Sequence, residues 1–164
     1  MFERSDDIIN IFKDDLRGAP IHRYWARYNK LLSGLFTEGS FMVTFDFDTE
    51  SYMAVVLHTR RIRVRTPKPI LIFLMLAEPS WNDSVALKEA EDRMRKLLRE
   101  ADAPAIPTIH GVCVSGTRVM FYRYERDKGL FMPELGQVHF DLDLKEENGA
   151  ARVLEVAEDV KRMC

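Results

Sequence analysis

The run ILIFLML, residues 70–76, constrains the fold of this chain more than any other segment. Consecutive apolar residues do not alternate between core and solvent, so a strand made from them is covered on both faces. Pro67 and Pro69 before the run and the polar residues after it limit it to strand length. We therefore predict a strand at the centre of a sheet, with further structure packed on both faces.

The segment before this run alternates with a period of two, which is typical of strands. One predicted face carries Phe41, Val43, Phe45 and Phe47, and the other carries Met42, Thr44, Asp46 and Asp48. A polar turn at residues 48–51 leads to YMAVVLH and RIRVR, which predict a second strand or two short ones. With residues 70–76 these segments predict a three-stranded meander whose last strand is central.

Apolar residues at helical spacing predict four helices in the rest of the chain. The first is capped by Ser5 and stops at Gly18, the second runs from Pro20 to the break at Glu38–Gly39, the third is capped by Asp83 or Ser84, and the last starts at about Ala150. Two strands flank the Ser115–Gly116 turn, and VHFDLDL predicts one more. We expect one domain over residues 1–164, of the α/β (α+β) class.

Composition excludes some partners and compartments. The net charge is −2, from 24 basic and 26 acidic side chains, so no overall field holds the protein on nucleic acid or an anionic membrane. The N-terminus lacks the pattern of a signal peptide, and no apolar run is long enough to span a bilayer. We expect an intracellular protein, cytoplasmic or nuclear, with no membrane partner. Cys113 and Cys164 form no spaced metal motif and predict free thiols.

Three acidic residues are candidates for a metal site. Asp46 and Asp48 share a predicted strand face, and Glu78 follows the apolar run. If neighbouring strands bring them together, their oxygens would hold Mg²⁺ or Mn²⁺, which would activate a water for attack on phosphate. The alternative is that they face solvent beside turns. The histidines, His22, His58, His110 and His139, are far apart on different elements, and we interpret each as solvent-facing or as a hydrogen-bonded structural residue.

The densest positive charge lies in HTRRIRVRTPK, where Arg61, Arg63 and Arg65 alternate with apolar residues. On a strand their guanidinium groups would share one face at a spacing of about 6.5–7 Å, which allows them to follow phosphates. A charged edge strand protected against aggregation gives the same pattern. The sequence leaves these two interpretations open.

Three segments together resemble a known family. These are ILIFLMLAEPSW at residues 70–81, AEDRMR at 90–95 and PTIHGVCVSGTRVMFY at 107–122, the last with His110 at an aromatic position. They are similar to the PD-(D/E)XK nuclease-like domains of fungal proteins of unknown function, some of them attached to fungal-type protein kinase domains. The spacing of Gly111, Gly116 and Tyr122 is the most specific part. The resemblance implies a restriction-endonuclease-like αβββαβ core, with a mixed central sheet flanked by helices.

The chain departs from this family at its chemical centre. The family strand ends in an E-x-K motif, in which the glutamate and an upstream aspartate hold the metal and the lysine stabilises charge. Alignment on Trp81 puts Leu76 near the glutamate position and Glu78 near the lysine position, and residues 70–81 contain no lysine. Lys88 or Arg93 of the next helix would have to replace the lost cation.

These observations predict a catalytically silent nuclease-fold domain, or pseudoenzyme, with no cofactor. It would bind nucleic acid through Arg61, Arg63, Arg65 and Arg93, or else a protein partner. A second hypothesis is an active nuclease that holds Mg²⁺ or Mn²⁺ through Asp46, Asp48 and Glu78, with Glu78 and a relocated Lys88 as catalytic groups. A third is a structural unit that forms a homodimer through the aromatic face of the second helix.

Overall fold

A computed structural model shows a mixed sheet of seven strands with helices on both faces. The structure describes residues 2, 4–14, 16, 19–36, 41–47, 51–58, 68–76, 82–101, 106–133 and 140–163, without the side chains of 46–47, 51–58 and 68. The predicted class, a mixed α/β fold with a central sheet between helices, is confirmed.

The described residues form four helices and seven strands. The helices are α1 (Ser5–Phe12), α2 (Ile21–Leu35), α3 (Ser84–Glu100) and α4 (Glu147–Arg162). The strands are β1 (Phe41–Phe47), β2 (Ser51–His58), β3 (Lys68–Leu76), β4 (Thr108–Ser115), β5 (Arg118–Glu125), β6 (Leu130–Met132) and β7 (Leu142–Asp143), with a 3₁₀ turn at Arg126–Lys128. No helix within these ranges has both the length and the apolar character needed to cross a bilayer.

The sheet begins with the predicted meander, in which β1 pairs with β2 and β2 with β3, both antiparallel. Helix α3 then carries the chain across to β4, which pairs parallel with β3. Strand β5 returns antiparallel to β4, and β6 and β7 both pair with β5. The order is therefore β1-β2-β3-β4-β5-β6, and the apolar strand β3 lies inside the sheet as predicted.

A glycine lets α3 pack closely on one face of the sheet. A Cβ atom added to Gly111 in β4 would lie 2.6 Å from Met94 Sδ and 3.1 Å from Leu98 Cδ1, both on α3. These distances are shorter than ordinary van der Waals contact. A side chain at this position would force Met94 or Leu98 to move.

The opposite face of the sheet is covered by α2. The Tyr28 ring lies 5.1 Å from the Phe73 ring of β3, measured between centroids, and 4.9 Å from Phe12 of α1. The buried Tyr28 hydroxyl donates a 2.8 Å hydrogen bond to the carbonyl of Gly116, which has a φ of 62° in the β4–β5 turn. A side chain from α2 therefore fixes the turn at the end of β4.

The predicted helix starts are more accurate than the predicted ends. The Asp83 side chain caps α3 by accepting from the backbone N–H groups of Val85 and Ala86, and Pro20 precedes α2. Helix α1 ends at Phe12 instead of Gly18, and beyond it the Asp14 carbonyl accepts a hydrogen bond from the side chain of Arg27 on α2. The last helix begins at Glu147, three residues before the predicted start.

The strand predicted at residues 138–144 is wrong over most of its described length. Only Leu142 and Asp143 pair, with Val119 and Arg118 of β5. The chain then turns at once, because the Asp143 side chain accepts a hydrogen bond from the Lys145 backbone N–H. Residues 138 and 139 lie outside the described ranges.

The aromatic stripe of α2 belongs to the core. Tyr24 and Tyr28 are buried, and so are Leu31, Leu32 and Leu35. Trp25 is half-buried and lies edge-on to Phe45 of β1, with 5.8 Å between the ring centroids. The monomer therefore already buries most of this face, and homodimer formation stays a prediction.

Candidate functional site

The carboxyl ends of β1, β3 and β4 meet at one edge of the sheet. Asp46 pairs with Met53 of β2, and Leu76, the last residue of β3, pairs with Ser51 of β2 and Ser115 of β4. Strands β1 and β3 are separated by one strand, which is a distance of about 10 Å. The fold therefore brings Asp46 and the end of the apolar strand to the same edge.

Several of the predicted site residues remain untested. Glu78, Asp48, Arg61, Arg63 and Arg65 lie outside the described residues. The side chain of Asp46 is also outside the described part, although its position in β1 is known. Their proposed roles in metal or nucleic-acid binding stay predictions.

Arg93 is the better placed of the two candidate replacement cations. It is half-buried on α3. Burial raises the pKa of the Cys113 thiol on β4, and the nearby charge of Arg93 opposes this effect. Cys113 pairs with Leu74 of β3, Leu74 pairs with Met53 of β2, and Met53 pairs with Asp46 of β1, so the four residues form one row across the sheet. The Arg93 side chain is therefore near the Cys113 end of this row, about 14 Å across the sheet from Asp46.

Lys88 lies on a different flank of the same helix. It is exposed, and it precedes Arg95 by seven residues, which is nearly two complete turns. Arg95 is directed towards the far edge of the sheet, where its guanidinium donates a 2.8 Å hydrogen bond to the Pro133 carbonyl and pairs with the buried Glu91. Lys88 therefore projects from the side of α3 that faces β6, away from β1 and Asp46.

The described residues provide no complete metal site at this edge. Leu76 is a hydrocarbon and supplies no oxygen to a cation. Among the side chains that the structure describes, no three His, Cys, Asp or Glu groups converge as metal ligands do.

A second site lies at the other end of β4. A cleft of about 430 Å³ opens between β4, β5 and α4, beside the segment that follows β6. His110, Arg123 and Arg152 line it, together with Arg162, Glu155 and Asp159. Phe121 and Val156 supply apolar surface. The cleft therefore combines a concave shape with several charged groups.

His110 is held in this cleft by a carboxylate. Its Nε2 lies 2.8 Å from Asp159 Oδ2, and the imidazole is buried while the carboxylate remains partly exposed. Burial lowers the pKa of His110, whereas the hydrogen bond to Asp159 and its charge raise it. The charges of Arg123 and Arg152 add to the lowering. The net result is a histidine that is neutral at neutral pH and fixed in orientation.

The three arginines reach the cleft from two elements. Arg123 comes from β5, and Arg152 and Arg162 come from α4. The Arg152 guanidinium lies over the ring of Phe121, 5.7 Å from its centroid, and also pairs with Glu155. This contact with a neighbouring strand directs the Arg152 side chain across the cleft.

The sequence left His110 as either solvent-facing or hydrogen-bonded and structural, and it did not reveal the site around it. Its partner, Asp159, is 49 positions further along the chain. One signal was available, because Arg152, Glu155, Asp159 and Arg162 recur every three or four residues. They form a charged stripe beside the buried residues Val153, Val156 and Val160. Such a stripe marks the helix flank and does not identify the strand it faces.

In comparisons with protein-family models, curated proteins and solved structures, nothing matches this chain.

Proposed function

We propose that this chain is a nuclease-like domain with a restriction-endonuclease-like core that binds nucleic acid without cleaving it. The order of elements supports the core. Helix α2 is followed by the antiparallel strands β1, β2 and β3, then by α3 and the parallel strand β4. This is the αβββαβ order that the family resemblance implies.

The residues that carry the resemblance occupy packing positions. Gly111 makes room for α3, Gly116 forms the turn after β4, and Tyr122 is buried in β5. Residues 70–76 lie in β3, and residues 90–95 contribute the buried Ala90 and Met94 to the face of α3 that contacts the sheet. The residues that carry the resemblance therefore stabilise the fold, and they are compatible with different chemistry at the strand ends.

The proposal that the domain does not cleave nucleic acid rests on Leu76. It is the last residue of β3, where alignment on Trp81 puts the family's metal-binding glutamate. A leucine side chain has no lone pair to offer a cation. Binding of nucleic acid is proposed from the alternating arginines at positions 61, 63 and 65.

Fluorescence anisotropy with labelled duplex and single-stranded DNA and RNA tests the binding. We expect binding at about 50 mM salt that weakens strongly at about 200 mM, because displaced counterions drive contacts to phosphates. Replacement of Arg61, Arg63 and Arg65 by Gln should abolish it. The control replaces Lys13, Arg23 and Lys30, which are exposed on or beside α1 and α2, by Gln and changes the net charge equally.

Two outcomes would reject this version of the proposal. Absence of binding at the lower salt concentration would leave a protein as the partner. Equal losses in the two triple variants would show that only total charge matters, so no arginine site exists.

The enzyme hypothesis makes a separate prediction about the replacement cation. Cleavage in Mg²⁺ or Mn²⁺ that disappears in Glu78→Ala would establish an active nuclease. Because Arg93 lies near the Asp46 row and Lys88 faces the other flank, such activity should also be lost in Arg93→Gln and retained in Lys88→Gln. Cleavage that survives Glu78→Ala would indicate a contaminating nuclease.

A further inference from the structure

The cleft around His110 is separate from the strand ends discussed above. His110 pairs with Leu71 near the start of β3, whereas Leu76 and Ser115 end their strands at the opposite edge. His110 contacts α4, whereas its neighbour Gly111 faces α3, so the cleft also lies on the other face of the sheet. A ligand of this cleft is therefore independent of a metal ion held at the carboxyl ends of the strands.

The charges that line the cleft favour an anion. Arg123, Arg152 and Arg162 contribute three positive charges, and Glu155 and Asp159 contribute two negative charges, which leaves an excess of one. Protonation of His110 would increase this excess. A small anion therefore enters a site of favourable potential despite the slightly acidic chain as a whole.

The arginines retain donors for a ligand although each has a carboxylate nearby. Arg123 pairs with Glu125 at 2.7 Å, and both arginines of α4 have partners on their own helix at i+3 or i−3. All three guanidinium groups are substantially exposed, and such pairs contribute little because water screens them. A guanidinium has five N–H donors, of which one carboxylate uses at most two.

The arrangement of donors fits a phosphate better than a carboxylate. A carboxylate matches one guanidinium fork, whereas the three terminal oxygens of a phosphate monoester accept bonds from several directions. Here the donors come from β5 on one side and α4 on the other. Phe121, Met132 and Val156 line the same cleft and provide apolar surface for the esterified group. A volume of about 430 Å³ exceeds the space that a phosphate alone requires.

From this geometry, we propose that the cleft binds a small phosphate monoester, with the phosphate held by Arg123 of β5 and Arg152 of α4 and the organic group against Phe121, Met132 and Val156. His110, held by Asp159, is a buried residue of the cleft lining.

Calorimetric titration of the full chain with adenosine 5′-monophosphate, adenosine and inorganic phosphate tests this proposal. We expect saturable binding of the monophosphate and at least about tenfold weaker binding of the other two probes, because each lacks half of the recognised ligand. Arg123→Gln and Arg152→Gln should each weaken monophosphate binding about tenfold. Arg23→Gln, on the exposed part of α2, is the matched control and should leave the affinity unchanged.

NMR locates the binding independently of affinity. The imidazole signals of His110 should shift on addition of the monophosphate, and the backbone spectra of the variants should show that they remain folded. Absence of binding, or equal binding of adenosine, overturns the assignment of a phosphate site. Binding of inorganic phosphate as tightly as the monophosphate overturns the assignment of an ester, and signal changes confined to residues outside the cleft overturn its location.

A further comparison separates this proposal from the one on nucleic acid. The variant with Gln at positions 61, 63 and 65 should bind the monophosphate with unchanged affinity. Loss of nucleic-acid binding in Arg123→Gln or Arg152→Gln, with no binding of the monophosphate by the unmodified chain, would show that the cleft serves the nucleic acid instead.

Discussion

Replacement of Gly111 by alanine should destabilise the fold through a clash with α3. The new Cβ would lie 2.6 Å from Met94 Sδ and 3.1 Å from Leu98 Cδ1, and Met94 and Leu98 are fully buried. Overpacking a closed core by one methyl group costs about 1–3 kcal/mol of unfolding free energy. For a chain of 164 residues this lowers the melting temperature by about 2–12 °C.

A double-mutant cycle with Met94→Ala tests whether the clash is the cause. Met94→Ala alone should cost about 2–5 kcal/mol, because it leaves a cavity beside β4. In that background the alanine at position 111 enters the cavity, so its cost should fall to about zero or become a small gain. The expected coupling between the two substitutions is therefore about 1–3 kcal/mol. Urea denaturation followed by circular dichroism measures all four proteins.

Gly129→Ala provides the matched control. Its φ is 59°, and an added Cβ there would have no atom within 4 Å, so its cost comes from the backbone alone. That cost, about 1–2 kcal/mol, should be the same with either residue at position 94. If Gly111→Ala is also additive with Met94→Ala to within about 0.5 kcal/mol, close packing against α3 does not explain the glycine.

Four further changes test other parts of the structure. Asp83→Ala removes the cap of α3 and should cost about 0.5–2 kcal/mol in urea denaturation, whereas Asp83→Ser should retain most of the stability, and equal losses would contradict a capping role. Tyr28→Phe leaves a buried turn carbonyl without its donor and should cost about 1–3 kcal/mol, so an unchanged denaturation midpoint would argue against this hydrogen bond. The pKa of His110 is below its ordinary value of 6.5, so the unfolded chain binds a proton at this residue more readily than the folded chain does. The contribution of His110 to the free energy of unfolding is therefore complete above about pH 6.5 and decreases as the pH falls. The pH dependence of stability should be weaker in His110→Asn. Asp159→Asn removes the interactions that raise this pKa, so NMR titration of the imidazole should show a lower value, and a higher one would refute the pairing.

The sequence predicted those parts of the fold in which burial produces a recognisable apolar pattern within a short segment. The apolar run at residues 70–76 specified the inner strand β3, and the periodic faces of α2 and α3 specified which residues are buried. Strands β6 and β7 were less visible, because three and two residues are too few to show a period. Their pairing with β5 depends on contacts between segments distant along the chain.

For the candidate sites too, local patterns could be predicted from the sequence, whereas contacts between distant segments could not. The order of strands was sufficient to predict that Asp46 and the end of the apolar strand share one edge of the sheet. Selecting Arg93 over Lys88 required the rotation of α3, which Arg95 and its contact with Pro133 reveal. Likewise, no local pattern links His110 to Asp159, because their distance depends on how α4 lies on the sheet.

Strand β4 connects the two regions of interest along a single stretch of backbone. His110 is at the cleft, and Ser115 is at the opposite edge, about 17 Å away. A monophosphate in the cleft and a metal ion at the carboxyl ends of the strands would therefore not collide. If either occupant changed the affinity for the other, thermodynamic reciprocity would require both dissociation constants to change by the same factor.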